Sequence, residues 1–219
     1  TAAILQTIKG IIKRLETMSN AQDELAEWRQ MQTVAESIPM DAKAKQLLIA
    51  LKNGFALMKK SGAKKKAVIF TESVETQKML IFLLSDKYKT CLYNGGSDYS
   101  SIQKFKTSGE ILISTDNGAK GFNLEDAAFV IHYDLLYNTL KMEQRIDRCH
   151  RLGQENDVLS LAFIDKNNFA DVRKLELVNK RMLVADGVFG ITDEVIGGFT
   201  ENLDTAFEAV SRRIRTKEQ

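Results

Sequence analysis

Apolar positions in the first third of the chain follow helical spacing. Isoleucine and leucine recur every three or four residues over 2–17, which predicts an amphipathic helix that needs a partner surface. The polar stretch 17–32 continues this helical pattern more weakly, and the only proline, Pro39, ends the region. Asp41 is then placed to cap a third helix that runs to about Lys60. These patterns separate a helical segment, 1–40, from the rest of the chain.

From residue 67 onward, short continuous apolar runs alternate with helical patterns. The runs predict buried strands at 67–71, 90–93, 110–115, 129–134 and 158–164, and the helical patterns lie at about 74–86, 98–106, 139–151 and 168–184. This alternation predicts an α/β fold with a doubly wound parallel sheet. Ligands of such sheets bind at the carboxyl ends of the strands, so we expect chemistry in the loops after Phe70, Tyr93, Ser114 and Tyr133.

The last segment of the chain differs in pattern from the strand–helix series. Residues 186–203 are rich in glycine, and a helical pattern with a basic end follows them. We expect 186–219 to form a C-terminal appendage to the sheet.

Composition narrows the class of protein. With 219 residues, 44% of them hydrophobic and 27% charged, the chain predicts a globular α/β domain with extensions. A net charge of +2 is too small to indicate a nucleic-acid binder from bulk charge alone. Cys91 and Cys149 are too few for a disulfide framework and predict free thiols, which fits a reducing compartment, either the cytoplasm or the nucleus.

The opening residues and the apolar runs argue against a secreted protein and against a membrane-spanning one. The first twelve residues lack the order of a secretory signal, and no apolar run approaches the length of about 20 residues that a membrane helix needs. The chain starts inside a helical pattern without an initiator methionine, which indicates a fragment of a longer polypeptide.

Arginines recur every three residues in the segment 144-QRIDRCHRLGQ-154. On the predicted helix this spacing puts Arg145, Arg148 and Arg151 on roughly one side, where they could form a solvated, salt-bridged face. The same face could bind phosphate, because a guanidinium stays charged and donates paired hydrogen bonds to phosphate oxygens. The glycine-rich stretch 113-ISTDNGAKGFNL-124 follows a strand and is either an ordinary turn or a loop whose backbone approaches a phosphate.

Taken together, these stretches resemble a known family. STDNGAKGFNL and QRIDRCHRLGQ, with VIFTES at 68–73 upstream, resemble motifs V, VI and IV of superfamily 2 helicases, and HRLGQ is similar to the ending typical of the Snf2 (SWI2/SNF2) branch. The resemblance spans about residues 41–185 and implies a three-layer RecA-like fold, the C-terminal lobe of a helicase-like ATPase. It implies part of an ATP-hydrolysing, double-stranded-DNA translocase or remodeller that is inactive without its N-terminal lobe. Besides double-stranded DNA, the expected partners are the N-terminal RecA-like lobe of the same polypeptide and a DNA-bound protein.

The resemblance also implies roles for individual residues. Arg148 and Arg151 match the motif VI arginines that reach the triphosphate across the cleft between the two lobes. Ser114 and Thr115 match the part of motif V that touches the nucleic-acid backbone. The residues expected on the nucleotide side are Gly121, Asn123, Gln144 and Arg145. Gln144 would also help to fix the interface between the two lobes. ATP and Mg²⁺ would be held mainly by the N-terminal lobe, since this sequence has no G-x-x-x-x-G-K-[ST] loop.

Several positions depart from the Snf2 pattern. Arg145 stands where that branch usually has Ala, and Asp116-Asn117 replaces Arg-Ala, so both positions resemble helicases at large. In the segment 134-DLLYNT-139, Asp134 and Asn138 are kept, while Tyr137 and Thr139 replace Trp and Pro. An RNA or strand-separating helicase lobe therefore stays an alternative, as does a non-catalytic interaction module. The stretch 186–198 looks like a feature of certain bacterial Snf2-type proteins and indicates a bacterial source.

Other charged stretches favour ordinary explanations. The lysines of 59-KKSGAKKK-66 could bind DNA, but they precede the first strand and so lie at the opposite edge of the sheet from the expected site. The acidic pair in 193-DEVI-196 mimics an Asp-Glu box without the buried strand that such a box follows. His132 and His150 have no partners at metal-ligand spacing, so we expect no metal site in this chain.

Overall fold

The computed structural model of the chain describes residues 2–18, 21–37, 42–94, 99–116, 122–136, 138–164 and 168–177. Gly121, the proposed cap Asp41, the helix breaker Pro39 and the C-terminal appendage at 186–219 lie outside the described residues. The predictions made for these positions stay predictions.

Five parallel strands form the sheet. They are β1 (Ala67–Thr71), β2 (Thr90–Tyr93), β3 (Ile111–Thr115), β4 (Phe129–His132) and β5 (Leu159–Ala162), in the spatial order β2-β3-β1-β4-β5. The chain moves outward from β1 to β2, returns to β3 and then crosses β1 to reach β4. This order confirms the predicted doubly wound sheet, and the strand order reverses beside β1.

Six helices have both ends within the described residues: α1 (Ala2–Leu15), α2 (Gln22–Glu36), α3 (Ala42–Lys60), α4 (Val74–Leu84), α5 (Ser100–Thr107) and α6 (Thr139–Ile146). Residues 169–177 are helical as well, which agrees with the helix predicted at 168–184 as far as the described residues reach. The first two form an antiparallel pair joined by ion pairs, with Arg29 lying 3.0 Å from Glu16 and Lys9 lying 3.1 Å from Glu36. The amphipathic α1 also packs on α4, which is the partner surface that its apolar face requires.

Alternate residues of each strand serve two separate cores. Ile69, Ile113 and Ile131 face a layer that contains α3 and α4, while Val68, Leu112 and Val130 face α5 and the segment after α6. Because side chains alternate along a strand, continuous apolar runs bury both faces of the sheet. The result is the three-layer arrangement that the family resemblance implied.

The predicted end of α6 is wrong. The helix was expected to run to residue 151, but it ends at Ile146, and the cap residue Asp147 donates its N–H to the carbonyls of Glu143 and Arg145. Successive turns follow, in which the N–H groups of Cys149 and His150 both bond to the carbonyl of Ile146 at 2.8 Å. The side chain of Cys149 is fully buried in the α5-side core, so the chain turns inward where a helix would have continued. Of the three arginines, only Arg145 lies on the helix.

Candidate functional site

The loop between β4 and α6 is bound to the carboxyl end of β1. The carboxylate of Asp134 accepts hydrogen bonds from Oγ1 of Thr71 at 2.5 Å and from the N–H of Glu72 at 3.0 Å. Asn138 then caps α6, its side-chain oxygen accepting from the N–H of Leu140 at 3.0 Å. The two residues kept from the family's Asp-x-x-Trp-Asn-Pro pattern therefore fix where α6 begins.

The segment that carries Arg148 and Arg151 is tied to the loop that follows β3. The N–H of Leu124 donates to the carbonyl of Arg148 at 2.8 Å. One guanidinium nitrogen of Arg151, Nη1, donates to the side-chain oxygen of Asn123. The structure thus brings together residues of two stretches that lie 28 positions apart in sequence.

The two arginines differ in their surroundings. Arg151 is exposed and is held by Asn123, whereas Arg148 is half-buried. Among the described residues, none forms a hydrogen bond or ion pair with the guanidinium of Arg148. Both guanidinium groups therefore have donors to offer to a ligand at this edge of the sheet.

Gln154 closes the segment from the other side. Its side-chain amide donates to the carbonyls of Glu125 at 2.7 Å and Ala127 at 3.1 Å, and its side-chain oxygen accepts from the N–H of Asn156 at 3.0 Å. The preceding Gly153 adopts a φ of +101°, a conformation that side chains rarely allow. Sequence reasoning noted Gln154 only as part of a family ending and missed its role as the anchor of this turn.

Arg145 lies in the protein interior, apart from the other two arginines. Its side chain is 3% exposed, and its Nε donates to an oxygen of Asp116 at 2.6 Å. Nη2 of Arg145 lies 2.5 Å from the same oxygen. This contact is an ion pair, but it does not have the geometry of a second hydrogen bond. The guanidinium carbon lies 5.2 Å from the centre of the Phe70 ring, an arrangement that stabilises a cation over an aromatic face.

His132 connects this ion pair to the last strand. Nδ1 of the imidazole lies 3.4 Å from Nη1 of Arg145, and Nε2 lies 3.2 Å from Oγ of Ser160. Burial, and secondarily the positive charge of Arg145, lower the pKa of His132 to about 3, so the ring is neutral. Because arginine can only donate, Nδ1 is the acceptor and Nε2 carries the hydrogen.

The remaining candidates sit at the same edge of the sheet. Ser114 and Thr115 end β3 and are buried, and the Ser114 hydroxyl donates to the Thr115 carbonyl at 3.0 Å. Gln144 is exposed on α6.

The buried thiol of Cys149 has its pKa raised to about 12 by burial and by the nearby charge of Glu125, which leaves it protonated and unreactive.

The lysine cluster before β1 is engaged with the protein itself. Lys64 pairs with Asp126, and Lys65 pairs with Glu110 at 2.7 Å. Lys66 turns inward and donates to the carbonyls at the end of α5, including Lys106 at 3.1 Å and Gly109 at 3.0 Å. Lys64, Lys65 and Lys66 are therefore engaged with the protein itself, which does not favour a nucleic-acid surface here.

Within the described ranges, no three His, Cys, Asp or Glu side chains come together in a way that could hold a metal ion. None of the helices described is both long enough and apolar enough to cross a bilayer.

Comparison with protein families matches residues 43–153 to the helicase conserved C-terminal domain. The chain is 33% identical over 137 residues to YqhH of Bacillus subtilis, an uncharacterized ATP-dependent helicase, covering 60% of this chain and 24% of that protein. It is 38% identical over 80 residues to human helicase-like transcription factor, covering 36% of this chain and 8% of that protein. The chain thus spans about a quarter or less of these relatives.

Solved structures share the fold at low sequence identity. The C-terminal part of the Fun30 ATPase domain superposes with a TM-score of 0.55 at 19% identity, covering 96% of this chain and 73% of that one. The Escherichia coli DEAD-box protein SrmB, solved bound to RraA, superposes with a TM-score of 0.52 at 20% identity, covering 64% and 80%. The RecA-like helicase C-terminal fold is therefore shared with both a Fun30-type and a DEAD-box protein.

Proposed function

Because the chain belongs to the helicase conserved C-terminal domain family and its relatives are Snf2-family ATP-dependent helicases, we propose that it is the C-terminal ATPase lobe of a double-stranded-DNA translocase. The observation that carries this proposal is the assembly of one edge from two motifs. Leu124 and Asn123, after β3, bond to Arg148 and Arg151, after α6. A cationic cluster at the carboxyl edge of a doubly wound sheet is suited to phosphate.

Arg148 and Arg151 are the proposed finger arginines. Phosphoryl transfer is catalysed mainly by positioning and by stabilising charge on the transferred group, and a finger arginine contributes about 10³–10⁵ in rate. Asn123 contributes by holding the guanidinium of Arg151, while the half-buried Arg148 has donors to spare. Gln144, exposed on the same helix that leads to them, would face the partner lobe.

The described residues are better suited to bind the phosphates of ATP than to bind Mg²⁺. The described residues offer guanidinium donors that suit phosphate oxygens, but they bring together no carboxylate cluster that suits a magnesium ion. ATP would supply the transferable phosphoryl group when bound. Its phosphates and Mg²⁺ would be held mainly by an N-terminal lobe, and Arg148 and Arg151 would approach from this chain when the lobes close.

Nucleic acid would lie near the end of β3. Ser114 and Thr115 end that strand, directly before the loop that leads to Gly121, and in this family the region touches the nucleic-acid backbone. The proposed partner is double-stranded DNA.

The two cysteines, Cys91 and Cys149, are free thiols buried in the core, which agrees with a reducing cytoplasmic compartment.

A second candidate is the C-terminal lobe of an RNA or strand-separating helicase. It is favoured by the buried pair of Asp116 and Arg145, the two positions that depart from the Snf2 pattern toward helicases at large. The nucleic acid that stimulates ATP hydrolysis separates the candidates. A Snf2-type translocase is stimulated most by duplex DNA, whereas the second candidate is stimulated most by RNA or by single strands.

The experiment compares two proteins: this chain alone and the natural polypeptide in which it follows an N-terminal lobe. Alone, the chain is expected to hydrolyse no ATP with any nucleic acid. The longer polypeptide is expected to hydrolyse ATP faster with duplex DNA than with single-stranded DNA or RNA. Hydrolysis by the isolated chain that disappears in Arg151→Ala would contradict the two-lobe proposal.

A further inference from the structure

Four polar side chains, two of them buried and two half-buried, form a connected row that crosses the site. Asp116 lies just after β3, Arg145 on α6, His132 at the end of β4 and Ser160 within β5. The successive contacts measure 2.6 Å from Asp116 to Arg145, 3.4 Å from Arg145 to His132 and 3.2 Å from His132 to Ser160. This row ties α6 to three of the five strands or to the residues that directly follow them.

The location of Arg145 argues against a direct phosphate ligand. Its side chain is 3% exposed, lies over the Phe70 ring and has Nε bonded to a carboxylate. Withdrawing a buried guanidinium from its partners would leave Asp116 and His132 without their contacts, which is unfavourable. The side chain is therefore committed to the interior.

Arg145 is also the anchor of α6. Among residues 140–146 of this helix, whose side chains are described, Arg145 alone is buried. A helix of eight residues has little stability of its own, so its position depends on such an anchor. The carbonyl of Arg145 further accepts the N–H of Arg148 at 3.3 Å, which starts the turn that presents Arg148 and Arg151.

We propose that Arg145 is a positioning residue for the two finger arginines, with Asp116 as its counter-ion and His132 as its acceptor. This inference rests on the proposed function of Arg148 and Arg151. Arg145 sets the position of α6 against the end of β3, so the finger arginines are presented at a fixed distance from the loop that carries Asn123.

The first test uses this chain alone and the imidazole resonances of its two histidines, His132 and His150. Long-range ¹H–¹⁵N spectra are expected to show His132 with hydrogen on Nε2 and with Nδ1 as an acceptor. Arg145→Met removes the donor to Nδ1, so the Nδ1 resonance of His132 should shift while exposed His150 stays unchanged. Arg173→Met is the matched control, since its exposed guanidinium pairs only with Glu176 among the described residues. An Nδ1 resonance unchanged by Arg145→Met would overturn the proposed contact.

The second test measures turnover in the natural two-lobe polypeptide. Arg145→Met is expected to lower kcat by about tenfold or more while KM for ATP changes by less than about twofold, because the nucleotide is held mainly by the other lobe. If Arg145 acts through the two finger arginines, the loss should shrink to less than about twofold in a background that carries both Arg148→Ala and Arg151→Ala. A loss of equal size in both backgrounds would overturn the positioning role.

The conservative variant Arg145→Lys covers the case in which Arg145→Met does not fold. Lysine keeps the charge beside Asp116, so kcat should recover at least partly while the His132 contact stays altered; a kcat as low as that of an unfolded control would overturn the proposal. The turnover measurements and the histidine spectra distinguish failure of the proposed function from failure of the role proposed for Arg145. If Arg151→Ala leaves turnover normal, the proposed function fails, and the histidine spectra still decide whether Arg145 contacts His132.

Discussion

The guanidinium of Arg151 donates a hydrogen bond to the side-chain oxygen of Asn123, which precedes it by 28 residues. This contact, with the Leu124–Arg148 backbone bond at 2.8 Å, closes the site between the loop after β3 and the turns after α6. Both motifs lie within the matched helicase conserved C-terminal domain.

Asn123→Ala tests what that contact contributes. Without Asn123, the exposed Arg151 side chain loses its only described hydrogen-bond partner and samples more rotamers, so turnover in the two-lobe polypeptide should fall by about threefold to tenfold, equivalent to about 1 kcal/mol. The matched control is Asn168→Ala, which removes a side-chain oxygen that accepts from the N–H of Ala170 and, among the described residues, contacts neither finger arginine. Steady-state ATPase rates measure both. Equal rates for Asn123→Ala and the wild type would show that Asn123 does not position Arg151.

Replacing Asp116 and replacing Arg145, the two partners of the ion pair, should lower the free energy of unfolding by different amounts. Asp116→Asn leaves the guanidinium of Arg145 buried without a counter-ion, which typically costs about 3–5 kcal/mol in the free energy of unfolding. Arg145→Met leaves a carboxylate whose side chain is 27% exposed and which water can reach, so the loss should be smaller. Urea unfolding of both variants measures the difference. A smaller loss for Asp116→Asn than for Arg145→Met would contradict this account of the pair.

Stability should fall in mild acid because of His132. Its pKa is about 3 in the folded chain and about 6.5 when unfolded, so below pH 6.5 the unfolded chain binds a proton that the folded chain cannot. The contribution is complete above pH 6.5 and is lost as the pH falls toward 3, at up to about 1.4 kcal/mol per pH unit. Urea unfolding between pH 7.5 and 5 should show this slope in the exposed-histidine control His150→Gln. The slope should flatten in His132→Gln, and equal slopes in the two variants would rule out His132 as the source.

The close packing of α3 on the sheet leaves no room for a side chain at Gly54. A Cβ at Gly54 would lie within 2.8 Å of three atoms of the Phe129 ring, which is itself fully buried. Gly54→Ala should therefore lower the free energy of unfolding by about 1–3 kcal/mol through overpacking, despite the better helix propensity of alanine. The exposed helical Gly10 has open space around it, so Gly10→Ala should be neutral or stabilising. Equal stability of the two variants in urea would contradict the packing argument.

The strands were predictable because each is a short run of predominantly apolar residues bounded by polar segments. The end of α6 was not, since arginines at intervals of three imitate one face of a helix. The chain leaves that helix because Cys149 is drawn into the core and Gly153 takes a positive φ, and neither is evident from spacing. The fate of Arg145 depends on Asp116, 29 residues earlier. One signal was present: these two positions depart from the Snf2 pattern together and with opposite charge.

The most direct measurement of the central claim is DNA-stimulated ATP hydrolysis by the natural two-lobe polypeptide carrying Arg151→Ala, beside the control Arg173→Ala. The claim is that Arg151, held by Asn123, reaches the transferred phosphate. The account predicts that Arg151→Ala lowers kcat by about 10³-fold, as finger arginines do, with the fold and KM for ATP retained. Arg173→Ala should match the wild type. Near-normal turnover by a folded Arg151→Ala protein would contradict the account.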